Sequence, residues 1–214
     1  MTGLPHVPAG RRGVLLDLAA DTGVEPALLA SVVRRLADRL GVPLAEVVPG
    51  AVTLLVQAED TDGLRRVLEA LDDEALDGAR GDGSTPDLET VTLEVRYDGP
   101  DLSEVAEASG LAVEEVVRRH VEGDYRAAFT GFAPGFAYLT GLDPALRLPR
   151  RDTPRSAVPA GALAVADAYT AVYPRRSPGG WHLIGTVETA MFEPDRDPPA
   201  LISPGQGVRF RERS

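Results

Sequence analysis

Arginine side chains are concentrated in one part of this sequence, and they are the residues best suited to bind an anion. Six arginines stand between residues 147 and 176, against only Asp152 and Asp167, in a chain whose net charge is −11. A guanidinium offers a planar fork of donors that fits a carboxylate or phosphate with two parallel hydrogen bonds. Arg155 is the first predicted substrate contact and Arg150 the second. The alternative for either is an ion pair that locks a loop or bonds a partner chain.

Glycine and aromatic residues are interleaved in a second segment, GFAPGFAYL at residues 131–139. Gly135 lets the main chain turn sharply or approach a ligand closely, because glycine has no side chain. Phe136 and Tyr138, together with Phe132, are predicted to wall a substrate cleft, since aromatic rings offer flat apolar surface. The alternative is a corner of a β-barrel in which the same rings fill the core.

A third segment, SPGGW at residues 177–181, combines a hydroxyl group with two adjacent glycines. The backbone amides of a turn and the hydroxyl of Ser177 together suit an anion, so Ser177, Gly179 and Gly180 are predicted substrate contacts. A tight turn leading into a strand at Trp181 is an equal alternative. Ser177 is not predicted to be a nucleophile, because no histidine or lysine can be assigned to it as a base.

Histidine, cysteine and lysine narrow the possible chemistry further. Cysteine and lysine are absent, which excludes thiolate nucleophiles, Schiff bases and the phosphate-binding lysine of a Walker loop. The histidines His6, His120 and His182 are scattered without HxH or HExxH spacing, so no metal held by this chain is predicted. His120 ends a predicted helix, where a cation suits the helix dipole. It is the one candidate acid–base residue, the catalytic residues being otherwise unassigned. His182 is expected to be a surface or rim residue.

Apolar periodicity predicts a small α/β domain over residues 1–88. Strands are predicted at 13–19 and 90–97, helices at 25–40 and 61–71, and a hairpin around Pro49-Gly50. The resulting β-α-β-β-α-β order is that of a ferredoxin-like unit. The Asp- and Gly-rich stretch at 72–87 is expected to be an exposed loop, and the strand at 90–97 fits on either side of a boundary near residue 88.

The second domain, residues 89–214, is predicted to be a β-barrel that carries a pair of helices, which makes the fold class α+β. The helices are expected within 101–120. A DNA-reading helix-turn-helix has that outline, but eight acidic residues and only two arginines lie between Asp98 and Asp124, and such a surface repels DNA. From Tyr125 onward short apolar runs alternate with Gly and Pro, as in closed β structures. The runs are 132–138, 162–166, 169–173, 183–187 and 208–210.

Four separated motifs together resemble one protein family. They are GFAPGFAYL at 131–139, PR at 149–150, VPAG at 158–161 and YPRRSPGGWHLIG at 173–185. Their order is similar to that of the 5-oxoprolinase B subunits, a family also called allophanate hydrolase subunit 1, whose members carry GFxPGFxYL, VPAG and YPxxSPGGWxxIG. The likeness extends more loosely from residue 91 to 210. The sequence departs from the family at 162–173, where ALAVAD and YTAVY replace SVGIAG and QTGIY, so the substrate is open there.

The resemblance implies a ferredoxin-like domain followed by a cyclophilin-like β-barrel, and a function in a heteromeric enzyme. Together with a C subunit (allophanate hydrolase subunit 2) and with an A subunit, such a chain converts 5-oxoproline to L-glutamate at the expense of ATP. The cofactor expected from the resemblance is ATP with Mg²⁺, bound by the complex. The chain is expected to be inactive alone.

Two other functions stay open. Family relatives include an inhibitor of a sporulation histidine kinase, and fused relatives resemble the carboxyltransferase region of urea carboxylase. A regulatory protein, or a carboxyltransferase-like chain that acts on urea or a related amide, is therefore the alternative. No apolar run approaches the roughly 20 residues of a membrane span, and residues 1–12 lack the pattern of a signal peptide, so a cytoplasmic protein is expected. Nucleic acid is not expected as a partner, because the acidic chain repels phosphate.

Overall fold

A computed structural model describes residues 4–19, 23–71, 76–77, 79–80 and 89–213 of the chain. The chain divides into two compact units, Met1–Asp87 and Leu88–Ser214. Each unit buries its own cluster of apolar side chains, so each has an independent hydrophobic core. The exposed loop predicted at 72–87 lies mostly outside the described residues.

The first unit, in its described part, is a four-stranded antiparallel sheet with two helices packed against it. Its strands are β1 (His6–Pro8), β2 (Gly13–Asp17), β3 (Leu44–Pro49) and β4 (Thr53–Ala58), in the order β1-β2-β4-β3. Its helices are α1 (Pro26–Leu40) and α2 (Thr61–Glu69). Both predicted helices and the hairpin at Pro49-Gly50 are confirmed. Helix α1 begins with a proline and ends at Gly41, and its leucines and valines face the core.

One edge of this sheet differs from the predicted order. The strand expected at 90–97 is β5 (Val91–Arg96), and it belongs to the barrel of the second unit. The position beside β2 is taken by β1, whose residue His6 lies opposite Leu16. Alternation of apolar and polar residues identifies a strand, but it does not show which strands lie beside it in a sheet. Strand β1 is also too short, at three exposed residues, to show any alternation.

The second unit contains a closed barrel of seven strands within the part of the chain that is described. In ring order the strands are β10-β7-β6-β13-β5-β12-β9. Besides β5 they comprise β6 (Tyr125–Thr130), β7 (Ala137–Thr140), β9 (Ala162–Ala166), β10 (Tyr169–Val172), β12 (His182–Val187) and β13 (Gly207–Glu212). A separate ribbon is formed by β8 (Arg155–Val158) and β11 (Ser177–Gly179). The predicted α+β class with a C-terminal barrel is confirmed.

Two helices pack on this barrel, as predicted. They are α3 (Leu102–Ser109) and α4 (Val113–Glu122). Their apolar faces, including Val105 and Val116, join the same hydrophobic cluster as the inward-facing strand residues. The run predicted as a strand at 132–138 is corrected. Only its end belongs to β7, because residues 131–136 form a turn closed by a hydrogen bond from the Gly131 N–H to the Phe136 carbonyl at 3.2 Å.

Candidate functional site

Aromatic side chains form a continuous apolar surface on the outside of the barrel, beside the β8–β11 ribbon. Phe136 lies at its centre, with ring centroids of Tyr138 at 4.9 Å, Tyr173 at 5.3 Å and Trp181 at 5.7 Å. The full set of contacting rings is Phe129, Phe132, Phe136, Tyr138, Tyr169, Tyr173 and Trp181. Phe136 is 2% exposed, so it supports this aromatic surface from below, whereas Tyr138 is only partly buried and lies nearer the solvent.

Strand β9 explains why the rings collect on this face. Its Leu163 and Val165 point into the barrel core, whereas its three alanines belong to the cluster around Phe136. Successive residues of a strand point to opposite faces, so alternate alanines leave a shallow surface on which large rings pack. The family departure ALAVAD therefore keeps small residues on this face. Its acidic member, Asp167, lies in the turn before β10 with a φ of +52°.

Arg155 begins β8, and its guanidinium is held by a buried carboxylate. The Nη2 group of Arg155 donates to Oδ1 of Asp101 at 2.5 Å, and Oδ2 of Asp101 accepts the backbone N–H of Leu183 at 2.7 Å. Arg151 also reaches Oδ1 at 3.3 Å. Since Asp101 is 3% exposed, its charge is neutralised by these donors rather than by water. The ion pair considered as the alternative for Arg155 is thus present.

The other terminal nitrogen of the Arg155 guanidinium makes no hydrogen bond to the described residues. Nη1 of Arg155 and Oγ of Ser177 are both buried, and neither has a hydrogen-bond partner among the described residues. The ribbon pairs Arg155 with Gly179 and Val158 with Ser177, so the two polar groups lie on neighbouring strands. A buried polar group without a partner is costly. Each of the two groups is therefore available to a polar atom of a ligand.

Tyr173 connects the arginines with the aromatic surface. Burial raises the pKa of its hydroxyl, and the positive charges of Arg150 and Arg155 act in the opposite direction. Both guanidiniums therefore lie within electrostatic reach of that hydroxyl. A Cβ on Gly179 would lie 2.2 Å from the Tyr173 oxygen, so a glycine at this position lets the ring sit against the ribbon.

The glycines predicted as ligand contacts are explained first by packing. Gly135 has a φ of +81°, and a Cβ there would lie 2.7 Å from Cβ of Phe192, so this glycine allows the turn to pack on the 191–192 segment. The tight turn considered for residues 177–180 is corrected, because Ser177–Gly179 is strand β11 and pairs with β8. The carbonyl of Gly180 accepts the N–H of Arg151 at 2.8 Å. Ligand contact at these glycines stays a prediction.

Arg150 lies at the exposed rim of the aromatic surface. Its side chain is 60% exposed and its Nε lies 3.6 Å from Oδ2 of Asp167. Its guanidinium carbon is 5.9 Å from the ring centre of Trp181, at the outer range of a cation–π contact. A guanidinium held this loosely is free to turn toward an anion. Its role in substrate binding stays a prediction.

His120 is fully buried, which corrects the expectation of a cation at the end of its helix. Thr170 donates its hydroxyl to the Ala164 carbonyl at 3.0 Å, so it accepts the Nε2–H of His120 at 3.0 Å. Nδ1 of His120 then accepts the Tyr97 hydroxyl at 2.8 Å. Burial lowers the pKa of His120 to about 3. The imidazole is therefore neutral, with both nitrogens bonded inside the unit, and this geometry suits a structural role.

His182 is also buried rather than at the surface, because α3 packs on β12. The residue is 7% exposed and its Nε2 lies 2.9 Å from the Pro149 carbonyl. Its Nδ1 is buried without a hydrogen-bond partner in the described part of the chain and lies 3.8 Å from Oε1 of Glu104. A groove of about 380 Å³ opens here, lined in part by the segment 148–153.

Asp101 is the residue that the sequence did not reveal. It stands immediately before α3, where an aspartate ordinarily caps the helix with its side chain. Here the side chain makes no capping hydrogen bond and instead binds Arg155, Arg151 and the backbone of Leu183. The only signal in the sequence is an aspartate at a helix start, which points to capping. Its true partners are about 50 and 80 residues away along the chain.

The described ranges contain neither a cluster of metal-binding side chains nor a membrane-spanning helix. No group of three or more His, Asp or Glu side chains is arranged there to hold a metal ion. None of the described helices has the length and apolar character that crossing a membrane requires.

The structure defines a chain of two units, the second of which is a closed barrel with a separate two-stranded ribbon. The chain belongs to the family of carboxyltransferase domains, subdomain C and D, whose pattern matches residues 6–202. It is 38% identical over 208 residues to the 5-oxoprolinase B subunit of Escherichia coli O157:H7, covering 94% of this chain and 92% of the relative. It is 45% identical over 112 residues to the 5-oxoprolinase B subunit of Bacillus subtilis strain 168, covering 52% of this chain and 47% of that protein.

Solved structures show the same fold. A protein named TTHA0988 has a TM-score of 0.77 and 37% identity over 95% of this chain, which corresponds to 40% of that protein. The chain thus spans about two fifths of the length of that structure. The urea carboxylase of Kluyveromyces lactis has a TM-score of 0.67 at 17% identity, covering 99% of this chain and 22% of that protein. At that identity the likeness concerns the fold alone.

Proposed function

We propose that this chain is the B subunit of an ATP-dependent 5-oxoprolinase complex, in which it works with a C subunit (allophanate hydrolase subunit 2) and with an A subunit. The observation that carries the proposal is the 38% identity to a named 5-oxoprolinase B subunit along nearly the whole chain. Arg155 and Ser177 support it, because their buried Nη1 and Oγ atoms have no hydrogen-bond partner among the described residues. A 5-oxoproline molecule has matching parts, namely a carboxylate, a lactam amide and a small apolar ring.

The carboxylate of 5-oxoproline fits Arg155. One terminal nitrogen of the guanidinium is held by Asp101, so the other is already oriented and loses little freedom when it binds an anion. The ring methylenes would then lie against Tyr138, which is partly exposed, and the Ser177 hydroxyl would bond a polar atom of the substrate. Because Arg155 is already positioned before binding, the site suits a small and rigid substrate.

The reaction itself requires groups that this chain provides only in part. Opening the lactam breaks its C–N bond, adds water across it and consumes ATP, so the phosphates must be neutralised, usually with a divalent metal. In the described residues no cluster of acidic or histidine side chains is arranged to hold that metal, and the chain has no lysine. ATP with its Mg²⁺ is therefore assigned to the assembled complex, to which this chain would contribute arginines as phosphate contacts.

The test is reconstitution from the purified components. The chain is assayed for 5-oxoproline-dependent ATP hydrolysis alone, then after addition of the C subunit, then after further addition of the A subunit. Turnover is expected only with the full set, and urea in place of 5-oxoproline should give none. Turnover by this chain alone would contradict the requirement for the C and A subunits. A full set that is active only on urea would assign the chain to the carboxyltransferase alternative.

A further inference from the structure

Phe132 combines an unusual backbone with an exposed ring. It is the central residue of a γ-turn, in which the N–H of Ala133 donates to the carbonyl of Gly131 at 2.6 Å. Its φ is +63°, a region that bulky side chains seldom adopt because the Cβ crowds the backbone. The side chain is nevertheless 60% exposed. Within the chain, neither the backbone nor burial favours a phenylalanine here.

The exposed ring is held in one orientation. Its edge contacts are to Phe136, with centroids 5.3 Å apart, and to Tyr173 at 6.3 Å. These two rings are buried and fixed by their packing in the aromatic cluster. The γ-turn therefore presents the outer face of Phe132 on a rigid base, and strained residues of this kind concentrate where a protein binds something.

Two arginines follow Tyr173 closely along the chain. Arg175 and Arg176 are exposed, and neither forms a hydrogen bond or an ion pair with any residue in the described ranges. Some other exposed arginines, such as Arg118 and Arg211, are paired with glutamates, whereas Arg11, Arg35 and Arg39 of the first unit are exposed and also have no such partner in the described ranges. Within the described part of the second unit, Arg175 and Arg176 are the two arginines without a hydrogen bond or an ion pair, on a chain whose net charge is −11.

We propose that Phe132 is the anchor by which this chain binds the C subunit of its complex. Its ring enters an apolar pocket of that subunit, and Arg175 and Arg176 pair with carboxylates at the rim of the pocket. Aromatic and arginine side chains dominate binding energy at protein interfaces when they are rigid before binding. The proposal rests on the proposed function for the existence of that complex.

The length of a relative supports a protein as the occupant. In TTHA0988 the region that matches this chain is 40% of the polypeptide, so more than half of that protein lies outside the shared domains. The relative that matches most of this chain is named a B subunit, which by its name is one part of a larger assembly, so another subunit of that assembly is the occupant. Its contact surface should be acidic around an apolar pocket, which complements the exposed ring and the two unpaired arginines.

Binding of the purified chain to the C subunit, measured by calorimetry, tests the proposal. Phe132→Ala should weaken binding by about 30-fold or more, the usual effect of removing an interface anchor. The double variant Arg175→Glu, Arg176→Glu should weaken it by about 10-fold at low salt and less at high salt, since salt screens exposed charges. Val52→Ala, at a valine that is 49% exposed in the first unit, is the matched control and should bind like the unsubstituted chain.

A Phe132→Gly variant separates anchoring from a structural role. Glycine adopts a positive φ without strain. The midpoint of thermal unfolding should therefore stay the same or rise, while binding weakens as in Phe132→Ala. Variants whose affinity for the C subunit equals that of the unsubstituted chain would overturn the proposal. Self-association of the chain that is lost in Phe132→Ala, while binding to the C subunit is unaffected, would overturn it in favour of a second copy. Failure of the unsubstituted chain to bind the C subunit would instead contradict the proposed function.

Discussion

At the scale of single residues, Asp101 and Arg155 form an ion pair in which, within the described residues, both carboxylate oxygens are hydrogen-bonded but one guanidinium nitrogen is not. Asp101 uses both carboxylate oxygens within the unit, whereas Arg155 retains a buried Nη1 without a hydrogen bond among the described residues. The carboxylate therefore positions the guanidinium, whose remaining terminal nitrogen is the group proposed to bind the substrate. This division requires a planar fork with two separately directed nitrogens, which lysine lacks.

Replacing Arg155 by lysine should preserve the charge and lose this geometry. One ammonium cannot bond Asp101 and a substrate carboxylate with the same directions, so binding of 5-oxoproline to the assembled complex should weaken by about 1–3 kcal/mol. The dissociation constant and turnover of the complex are the measurements. Arg209→Lys is the control, because Arg209 is 67% exposed and pairs only with an exposed aspartate. Unchanged affinity in both Arg155→Lys and Arg155→Ala would make the residue purely structural.

The buried imidazole of His120 should make stability depend on pH. Its folded pKa is about 3, below the ordinary value of about 6.5, so below pH 6.5 the unfolded chain binds a proton that the folded chain excludes. The contribution of His120 to the free energy of unfolding is fully present above pH 6.5, and it is lost as the pH falls toward 3. At pH 4.5 the loss should be about 2–3 kcal/mol.

Urea unfolding at pH 7 and pH 4.5 measures this effect. His120→Gln, which retains a neutral polar side chain, should remove that part of the pH dependence, whereas His6→Gln at an exposed position should not. The tyrosines that face the imidazole, Tyr97 and Tyr125, have pKa values raised by burial, so they do not titrate in this range. Equal pH dependence in His120→Gln and the unsubstituted chain would show that the imidazole is not the responsible group.

At the scale of elements, β5 decides where one domain ends and the next begins. It pairs in parallel with β13 over five residues, from Val91 opposite Val208 to Val95 opposite Glu212, and in antiparallel fashion with β12. Its Leu93 and Val95 are completely buried in the barrel core. Without β5 the barrel would have two open edges and a gap in its core.

Two fragments test this assignment. Residues 89–214 should fold cooperatively, whereas residues 98–214, which lack β5, should not. Circular dichroism and the fluorescence of Trp181 during thermal unfolding are suitable measurements. A fragment of residues 98–214 that unfolds with the same midpoint as residues 89–214 would show that β5 is not needed to close the barrel.

At the scale of the whole molecule, the residues proposed to bind substrate all come from one unit. The aromatic surface, Arg155 and Ser177 lie within Leu88–Ser214. The chain as a whole is strongly acidic, so the local arginines provide a restricted region that attracts an anion. The second unit should therefore hold the ligand site without the first.

Ligand binding by the separated second unit is the corresponding measurement. A fragment of residues 89–214, combined with the C subunit, should bind 5-oxoproline with an affinity within about threefold of that of the full chain, a difference of less than about 1 kcal/mol. Nuclear magnetic resonance shifts or calorimetry would report it. Ligand-induced shifts confined to residues 12–70 of the full chain would place the site in the other unit.

The sequence by itself determined the class of fold, the helices of both units and the segments that form the site. These features depend on local patterns, namely apolar periodicity, glycine and proline punctuation, and the long motifs at 131–139 and 173–185. Such patterns are readable because neighbouring residues share one element. Arg155, Phe136 and Tyr138 were predicted in this way as substrate contacts. The structure brings the rings of Phe136 and Tyr138 together, and substrate contact by the three residues stays a prediction.

Only the tertiary structure decided which groups meet and which stay unpaired. Asp101 lies about 50 residues before Arg155, and no local pattern links them. The burial of His120 and His182, the placement of β5 in the barrel and the exposure of Phe132 likewise depend on how distant elements pack. A residue's charge state and its free hydrogen-bonding capacity are set by neighbours in space, which chain order does not specify.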